Sequence, residues 1–443
     1  MARELFGTDG VRGVAGEKVT AELALALAAA DVRRAAPDAR DGRPQVLVIR
    51  DTRESGPMLE SAIAAGAAAA GADALLGGVL PTPAAPLLIR RYGFDLGVVL
   101  SASHNPYEDN GIKFFGADGD KLSDAVEEEI EGLLAESPTR AGGPIGCVRR
   151  LHGTLEDYLR DLHTRFADLD LTGRDVLLDC ANGAAYKAAP EMFRRLGAAV
   201  TAIGTDPDGR NINARCGSTH VETLAQQVAQ GGHDLGFAFD GNADRVLAAD
   251  RNGLVVDGDE LIALAATHLR EHDRLPNNGV AVTVMTNYGF HTAMREAGIE
   301  VATTSVGDRY VLEALRERGF ALGGEQSGHI IDLGFSPTGD GIASALLALE
   351  ALHGGDLAER HAMEKLPQRL VNVPVTDRDT ALSDRGFADA IAREEAALEG
   401  RGRVLVRPSG TEPLIRVMVE APTDEEATAA TDRLVAAMHA VTA

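Results

Sequence analysis

Short apolar runs alternate with alanine- and leucine-rich helical stretches along most of this chain, and that alternation restricts the fold more than any other feature. The first cycle reads as a helix at 21–31, a strand at 46–49, a helix at 57–70, a strand at 75–80 ending in Pro81-Thr82-Pro83, a further helix, and a strand at 98–100. A helix after Lys121 follows, with Val126, Ile130, Leu133 and Leu134 on one face. Strands and helices in this order bury their apolar faces as a sheet with helices on both sides, a three-layer α/β domain. After a turn-rich linker at 137–144 the pattern restarts, with strands at 176–179, 200–202 and 236–240 and a helix at 188–196. A third cycle has a strand at 280–285, a strand-to-loop element at 303–309 and a helix at 341–352. Beyond Lys365 come strands at 370–375, 403–406 and 415–420 with helices at 385–398 and 424–440, a smaller α+β unit. The expected domains are 1–145, 146–250, 251–364 and 365–443.

A chain of 443 residues exceeds one hydrophobic core, in keeping with several domains. Its net charge of -24 repels nucleic acid and anionic membranes. With no Trp and 4% aromatic residues it also lacks base-stacking platforms, so neither nucleic acid nor membrane is an expected partner. An anionic small molecule must then meet a local basic pocket. Lys18, Lys113, Lys121, Lys187 and Lys365 are all the lysines, which makes Lys113 conspicuous. Cys147, Cys180 and Cys216 form no paired motif and read as reduced thiols of a cytoplasmic protein. The first residues do not form a signal peptide, and no apolar run is long enough to span a bilayer.

Five stretches carry chemistry. The 98–100 strand ends in Ser101-Ala102-Ser103-His104-Asn105-Pro106, followed by Asp109-Asn110-Gly111-Ile112-Lys113. Ser103 thus stands at a strand end, where α/β folds bind ligands, as a nucleophile or as a turn-forming serine. His104 is beside it and Lys113 a short loop away. Asp240-Gly241-Asn242-Ala243-Asp244-Arg245 closes another strand, and its alternate oxygen side chains suit a hard cation such as magnesium, or an ordinary acidic turn. Phe6-Gly7-Thr8-Asp9-Gly10-Val11-Arg12-Gly13 is either a surface loop or a backbone cradle with Arg12 facing a phosphate. Glu325, Ser327 and His329, framed by glycines, suit a polyhydroxylated ligand or a capped turn. Arg407-Pro408-Ser409-Gly410-Thr411-Glu412-Pro413, between two strands, is a phosphate cradle or a hairpin loop.

Taken together, these stretches resemble the α-D-phosphohexomutase superfamily from Phe6 to the C-terminal helix. FGTDGVRG, ASHNP with DNGIK, the acidic turn, GGEQSGH, TGDGI and RPSGTEP carry the resemblance. Gln326, Cys216-Gly217-Ser218-Thr219-His220 and Val306-Gly307-Asp308-Arg309-Tyr310-Val311 resemble its glucosamine branch. The resemblance implies four domains in a heart-shaped arrangement around a central cleft, as a monomer or homodimer. It implies interconversion of glucosamine 6-phosphate and glucosamine 1-phosphate, feeding UDP-N-acetylglucosamine and cell-wall precursor synthesis. Ser103 would be a phosphoserine, glucosamine 1,6-bisphosphate the intermediate, and Mg2+ would sit on Asp240, Asn242, Asp244 and the phosphoserine. His104, Lys113 and Arg245 would be catalytic. Arg12, Arg309, Glu325, Ser327, His329, Arg407, Ser409, Gly410 and Thr411 would hold the small-molecule sugar phosphate. The family turn usually has an aspartate where this chain has Asn242. That departure, and the neighbouring mannose and glucose specificities, leave a phosphomannomutase, a phosphoglucomutase or a non-catalytic sugar-phosphate sensor as alternatives.

Overall fold

The structure is a computed structural model that describes residues 5–7, 9–39, 42–135, 145–375, 377–408 and 413–442. The chain forms two compact units: Met1–Val284 with Val301–Arg360, and Met285–Glu300 with His361–Ala443.

The first unit contains three mixed sheets. Strands β1 (Val11–Val14), β2 (Gln45–Arg50), β3 (Asp73–Val79), β4 (Leu96–Leu100), β5 (Asp109–Gly116) and β6 (Val148–Arg150) form a sheet in the order β1-β5-β4-β2-β3-β6. Its β4-β2-β3-β6 section is parallel. All five residues of β4 are buried, as expected for a strand covered on both faces. Helix Ala21–Ala35 lays Leu27, Ala28 and Val32 on this sheet's core, and Thr20 caps it by accepting from Leu23 N at 3.2 Å. The second sheet comprises β7 (Asp175–Asp179), β8 (Ala199–Ile203), β9 (Leu235–Phe239), β10 (Val246–Asp250) and β11 (Val255–Val256), ordered β11-β10-β9-β7-β8. The third has β12 (Gly279–Thr283), β13 (Glu300–Thr304), β14 (Leu322–Gly324) and β15 (Ile330–Asp332), ordered β13-β12-β14-β15. The three α/β cycles expected from periodicity are therefore present.

One stretch differs from expectation. The glycine-rich opening is not only a loop: Val11–Val14 pair antiparallel with β5, which sets Arg12 on a sheet-edge strand. Lys113 stands beyond the short loop after Ser103, as expected. Its strand β5 runs back antiparallel to β4, with Lys113 opposite Val99. The Asn105-Pro106 turn reverses the chain, and β4 offers the returning backbone a full set of partners. The linker expected at 137–144 lies outside the described residues.

The second unit has the antiparallel sheet β16 (Gln368–Pro374), β18 (Leu414–Glu420) and β17 (Arg403–Pro408), with β18 central. Helices Arg385–Leu398 and Asp424–Thr442 cover it, and Phe387, Leu434 and Met438 join Val373 and Ile415 in the core. The unit also includes helix Tyr288–Glu296, whose first backbone N–H donates to the fully buried Glu420 at 2.9 Å. Arg403 pairs with the same carboxylate at 2.8 Å.

Candidate active site

In the first unit, the C-terminal ends of parallel strands present their loops to one another, the place where open α/β sheets bind ligands. Ser103 follows β4 in the left-handed conformation, with φ of 54°. For a serine this costs about 1 kcal/mol or more, so surrounding bonds must impose it. Ser103 N donates to Ser101 Oγ at 3.0 Å, and Ser101 Oγ donates in turn to Asp51 Oδ2 at 2.6 Å. The Ser103 carbonyl accepts from Arg53 Nη2 at 3.0 Å and from Asn213 Nδ2 at 2.9 Å.

Arg53 is the central support. It is fully buried, pairs with Asp51 at 2.9 Å, and donates to the carbonyls of Ser103, Asn105, Pro106 and Asp109. All its donors are thereby spent on the backbone of the serine loop and on one carboxylate. A guanidinium in a strand-to-helix loop reads as a surface charge, and no sequence signal separates Arg53 from one. Asn213 is equally silent in sequence.

The acidic turn after β9 meets this loop. Ser103 Oγ donates to Asp240 Oδ2 at 2.6 Å. Gly241 permits the approach: a Cβ there would stand 2.6 Å from the Ser103 carbonyl oxygen. The amide of Asn242 donates to Thr82 Oγ1 at 2.6 Å and to Asp244 Oδ2 at 2.7 Å. Burial, followed by the neighbouring Asp244 charge, pushes the Asp240 carboxyl up to about 7. Burial also opposes the Asp244 carboxylate, but Lys113, His329 and Arg245 hold it well below its ordinary value. Among the described residues, Asn242 Oδ1 and Asp244 Oδ1 are buried oxygens without a hydrogen-bond partner. With Asp240 and Ser103 they make an all-oxygen donor set, the kind a hard cation takes, so the residues present fit magnesium.

Cationic groups surround the pair. Lys113 Nζ, 1% exposed, lies 2.8 Å from Asp9 and 3.7 Å from Asp244. Lys121 bridges Asp9, at 2.7 Å, to Asp308. Arg12 also pairs with Asp9. Asp9, Lys121 and Asp308 were not singled out by the sequence, though they anchor the groups that were. His104 Nδ1 is 3.3 Å from Ser103 Oγ and 3.2 Å from Arg245 Nη1. Burial, aided by Arg245, pushes its imidazole down to about 4.

The Glu325-to-His329 stretch is the turn between β14 and β15, joined to the strand after the acidic turn by Val246 N donating to the Gly328 carbonyl at 3.1 Å. Glu325 accepts from Gly307 N at 3.0 Å, His329 is buried 3.8 Å from Asp308, and Ser327 is exposed. Arg309 starts the helix Asp308–Arg318 and pairs with Asp124 and Glu127. A cavity of about 470 Å³ is lined by Lys121, Asp308, Arg309, His329 and Thr338, room enough for a small polar ligand. In the second unit, Arg407 on β17 faces Arg416 on β18. Burial and that like charge lower its pKa, a strain that a bound anion would relieve. Ser409, Gly410 and Thr411 lie outside the described residues.

Comparison with known proteins agrees with this geometry. Four segments match domains of one family, described as phosphoglucomutase/phosphomannomutase alpha/beta/alpha domain I (residues 3–140), domain II (156–253), domain III (257–370) and C-terminal domain (370–437). The chain is 50% identical over 440 residues to a phosphoglucosamine mutase of Desulforudis audaxviator, covering 97% of each chain. It is 52% identical over 437 residues to a phosphoglucosamine mutase of a Nocardioides species, again covering 97% of each. Among solved structures, a phosphoglucomutase/phosphomannomutase family protein from Burkholderia thailandensis superposes with a TM-score of 0.83 at 25% identity, covering 99% of this chain and 97% of the other. Among the described residues, no helix is long and apolar enough to cross a membrane.

Proposed function

Because the chain belongs to the phosphoglucosamine mutase family of the phosphohexomutase superfamily, we propose that Ser103 carries the phosphoryl group by which glucosamine 6-phosphate and glucosamine 1-phosphate are interconverted. The observation that carries this reading is the Ser103 hydroxyl, held in a strained turn and hydrogen-bonded to Asp240 of the acidic turn.

In the forward direction, the sugar C1 hydroxyl attacks phosphorus in line, its new P–O bond forms, and the bond from phosphorus to Ser103 Oγ breaks. The hydroxyl proton leaves to a base, and Ser103 Oγ gains a proton. We assign those transfers to His104, whose Nδ1 is 3.3 Å from Ser103 Oγ, and to Lys113, 3.7 Å from Asp244 of the acidic turn, imidazole as acceptor and ammonium as donor. The resulting 1,6-bisphosphate reorients; Ser103 Oγ then attacks the 6-phosphoryl group and loses its proton, while the bond from phosphorus to the C6 oxygen breaks and that oxygen takes up a proton, releasing glucosamine 1-phosphate. Arg245 and Lys113 steady negative charge on the phosphoryl oxygens. Glu325, Ser327 and His329 meet the sugar's amine and hydroxyls, and Arg12 and Arg309 its phosphate. Arg407, beside Arg416 in the second unit, binds a phosphate group, the role the sequence also leads one to expect of Ser409, Gly410 and Thr411. Asp240, Asn242, Asp244 and the phosphoserine would hold magnesium, which would supply charge neutralisation for phosphoryl transfer.

The test is a coupled assay on glucosamine 6-phosphate with a trace of 1,6-bisphosphate and Mg2+, run beside glucose and mannose phosphates. Formation of glucosamine 1-phosphate faster than either other isomer supports the reading. Release of inorganic phosphate alone, or tight binding without turnover, overturns it.

A further inference from the structure

Away from the phosphoryl site, three histidines converge where two helices end. His268 lies in the last turn of helix Gly258–Glu271, His272, four residues after it, caps the end of that helix, and His353 stands two residues past helix Gly341–Ala351. Their ring centroids are 4.4, 4.9 and 5.3 Å apart, and one nitrogen from each lies within 4.8 Å of the others. On two of the three rings the other nitrogen is directed elsewhere. His272 Nδ1 bonds the His268 carbonyl at 2.8 Å, which leaves its Nε2 free. His268 Nε2 faces Glu350 Oε2 at 3.5 Å, which leaves its Nδ1 turned to His353 Nε2 at 3.1 Å.

A carbonyl or carboxylate behind the second nitrogen is how proteins orient metal-binding imidazoles. Two nitrogens bound to one tetrahedral zinc-class ion, at about 2.0–2.1 Å each, stand about 3.3 Å apart, close to the His268–His353 separation. His272 and His353 are exposed, so their rings are free to turn inward and an ion has a route from solvent. Three neutral nitrogen donors select zinc, nickel or cobalt over magnesium, which takes oxygen.

We propose that His268, His272 and His353 form a second metal site, for a divalent zinc-class cation, that staples the C-terminal ends of these two packed helices. The helices are a meaningful pair to join. Gly258 N, opening one, donates to the Gln326 carbonyl in the Glu325 turn at 3.0 Å, and Gly341 N, opening the other, donates to the Ala243 carbonyl in the acidic turn at 3.0 Å. Glu350 orients His268 and is a positioning residue.

The experiment uses untagged full-length protein, stripped with chelator and kept in excess Mg2+ so that the oxygen site is saturated. Zn2+ or Ni2+ is titrated by calorimetry, and thermal unfolding is followed with and without the ion. One equivalent should bind and raise the unfolding midpoint. His272→Gln and His353→Asn should each weaken binding about tenfold or more and abolish the rise, and Glu350→Gln should weaken it less. Asparagine suits position 353, where φ is 46°. Because binding and melting are read instead of turnover, the outcome is independent of the mutase assay. No uptake in excess Mg2+, unchanged uptake in the folded histidine variants, or binding without a rise in midpoint would each overturn the proposal.

Discussion

The Ser103 hydroxyl donates to the Asp240 carboxylate across 2.6 Å, and the two residues come from the ends of strands in different sheets. Serine and acid are 137 positions apart in sequence. The nucleophile is thus defined by the docking of two loops, with the side chain of one completing the other.

Ser103→Ala removes the phosphoryl carrier but keeps a residue of similar size in the left-handed turn. Turnover should fall below detection, the unfolding midpoint should stay within a few degrees of the parent, and intact mass should lose any phosphoryl adduct. Near-parent activity would remove Ser103 from the reaction.

Arg53 is predicted to be a positioning residue. Arg53→Met leaves Asp51 buried beside four carbonyls without their donor, a loss of about 3–5 kcal/mol in denaturant unfolding. Arg53→Lys keeps the charge but offers three donors in place of a planar fork. It should fold, with kcat reduced at least about tenfold and KM changed much less, since the serine loop and not a sugar contact is disturbed. A lysine variant at the parent rate would show that the cage does not set the loop.

Asn242→Asp supplies a third carboxylate, so half-saturating Mg2+ in the assay should fall. The structure adds an opposing effect. The amide now donates to Thr82 and Asp244; with aspartate the Thr82 hydroxyl would have to donate instead, and the bond to Asp244 would become carboxylate repulsion. Without metal the variant should therefore melt at lower temperature than the parent, and Mg2+ should raise its midpoint more. If the variant needs as much Mg2+ as the parent, the charge argument fails.

A pH effect is expected far from the site. Asp31, buried under the first sheet, is pushed up to about 6 by burial, against the pull of Arg34, and its Oδ2 has no hydrogen-bond partner among the described residues. Between about pH 4 and 6 the folded chain keeps this proton while the unfolded chain has lost it. The group's contribution is fully present below pH 4 and lost as pH rises through 6. Asp31→Asn should therefore gain on the order of 2 kcal/mol at pH 7.5 and little at pH 4. Equal differences at both pH values would disprove the linkage.

Strand and helix positions were legible because their residues obey periodic burial. Val98 to Leu100 is read as a strand because every residue is apolar, and it is one because both faces are covered. Lys113 broke the rule, since a lysine seldom occupies a buried strand; here Asp9 and Asp244 balance it, and both are remote in sequence. Within the site, residues that face ligand sit in dense local motifs and could be named. Those that face other protein, Arg53, Asn213, Asp9 and Asp308, act through partners dozens of positions away, and a single sequence does not display such pairings.

The glycine at which the acidic turn meets the serine loop has a temporal consequence. Ser103 leaves the ribosome before β5 and β6 of its own sheet and long before Gly241 exists to seat against its carbonyl, and Gly341, whose Cβ would stand 2.5 Å from the Arg245 carbonyl, comes a hundred residues later still. A growing chain therefore holds its serine through the synthesis of β5 to β9 without the acid that its hydroxyl donates to. A chain that ends before Asp240 carries the serine without the carboxylate to which its hydroxyl donates.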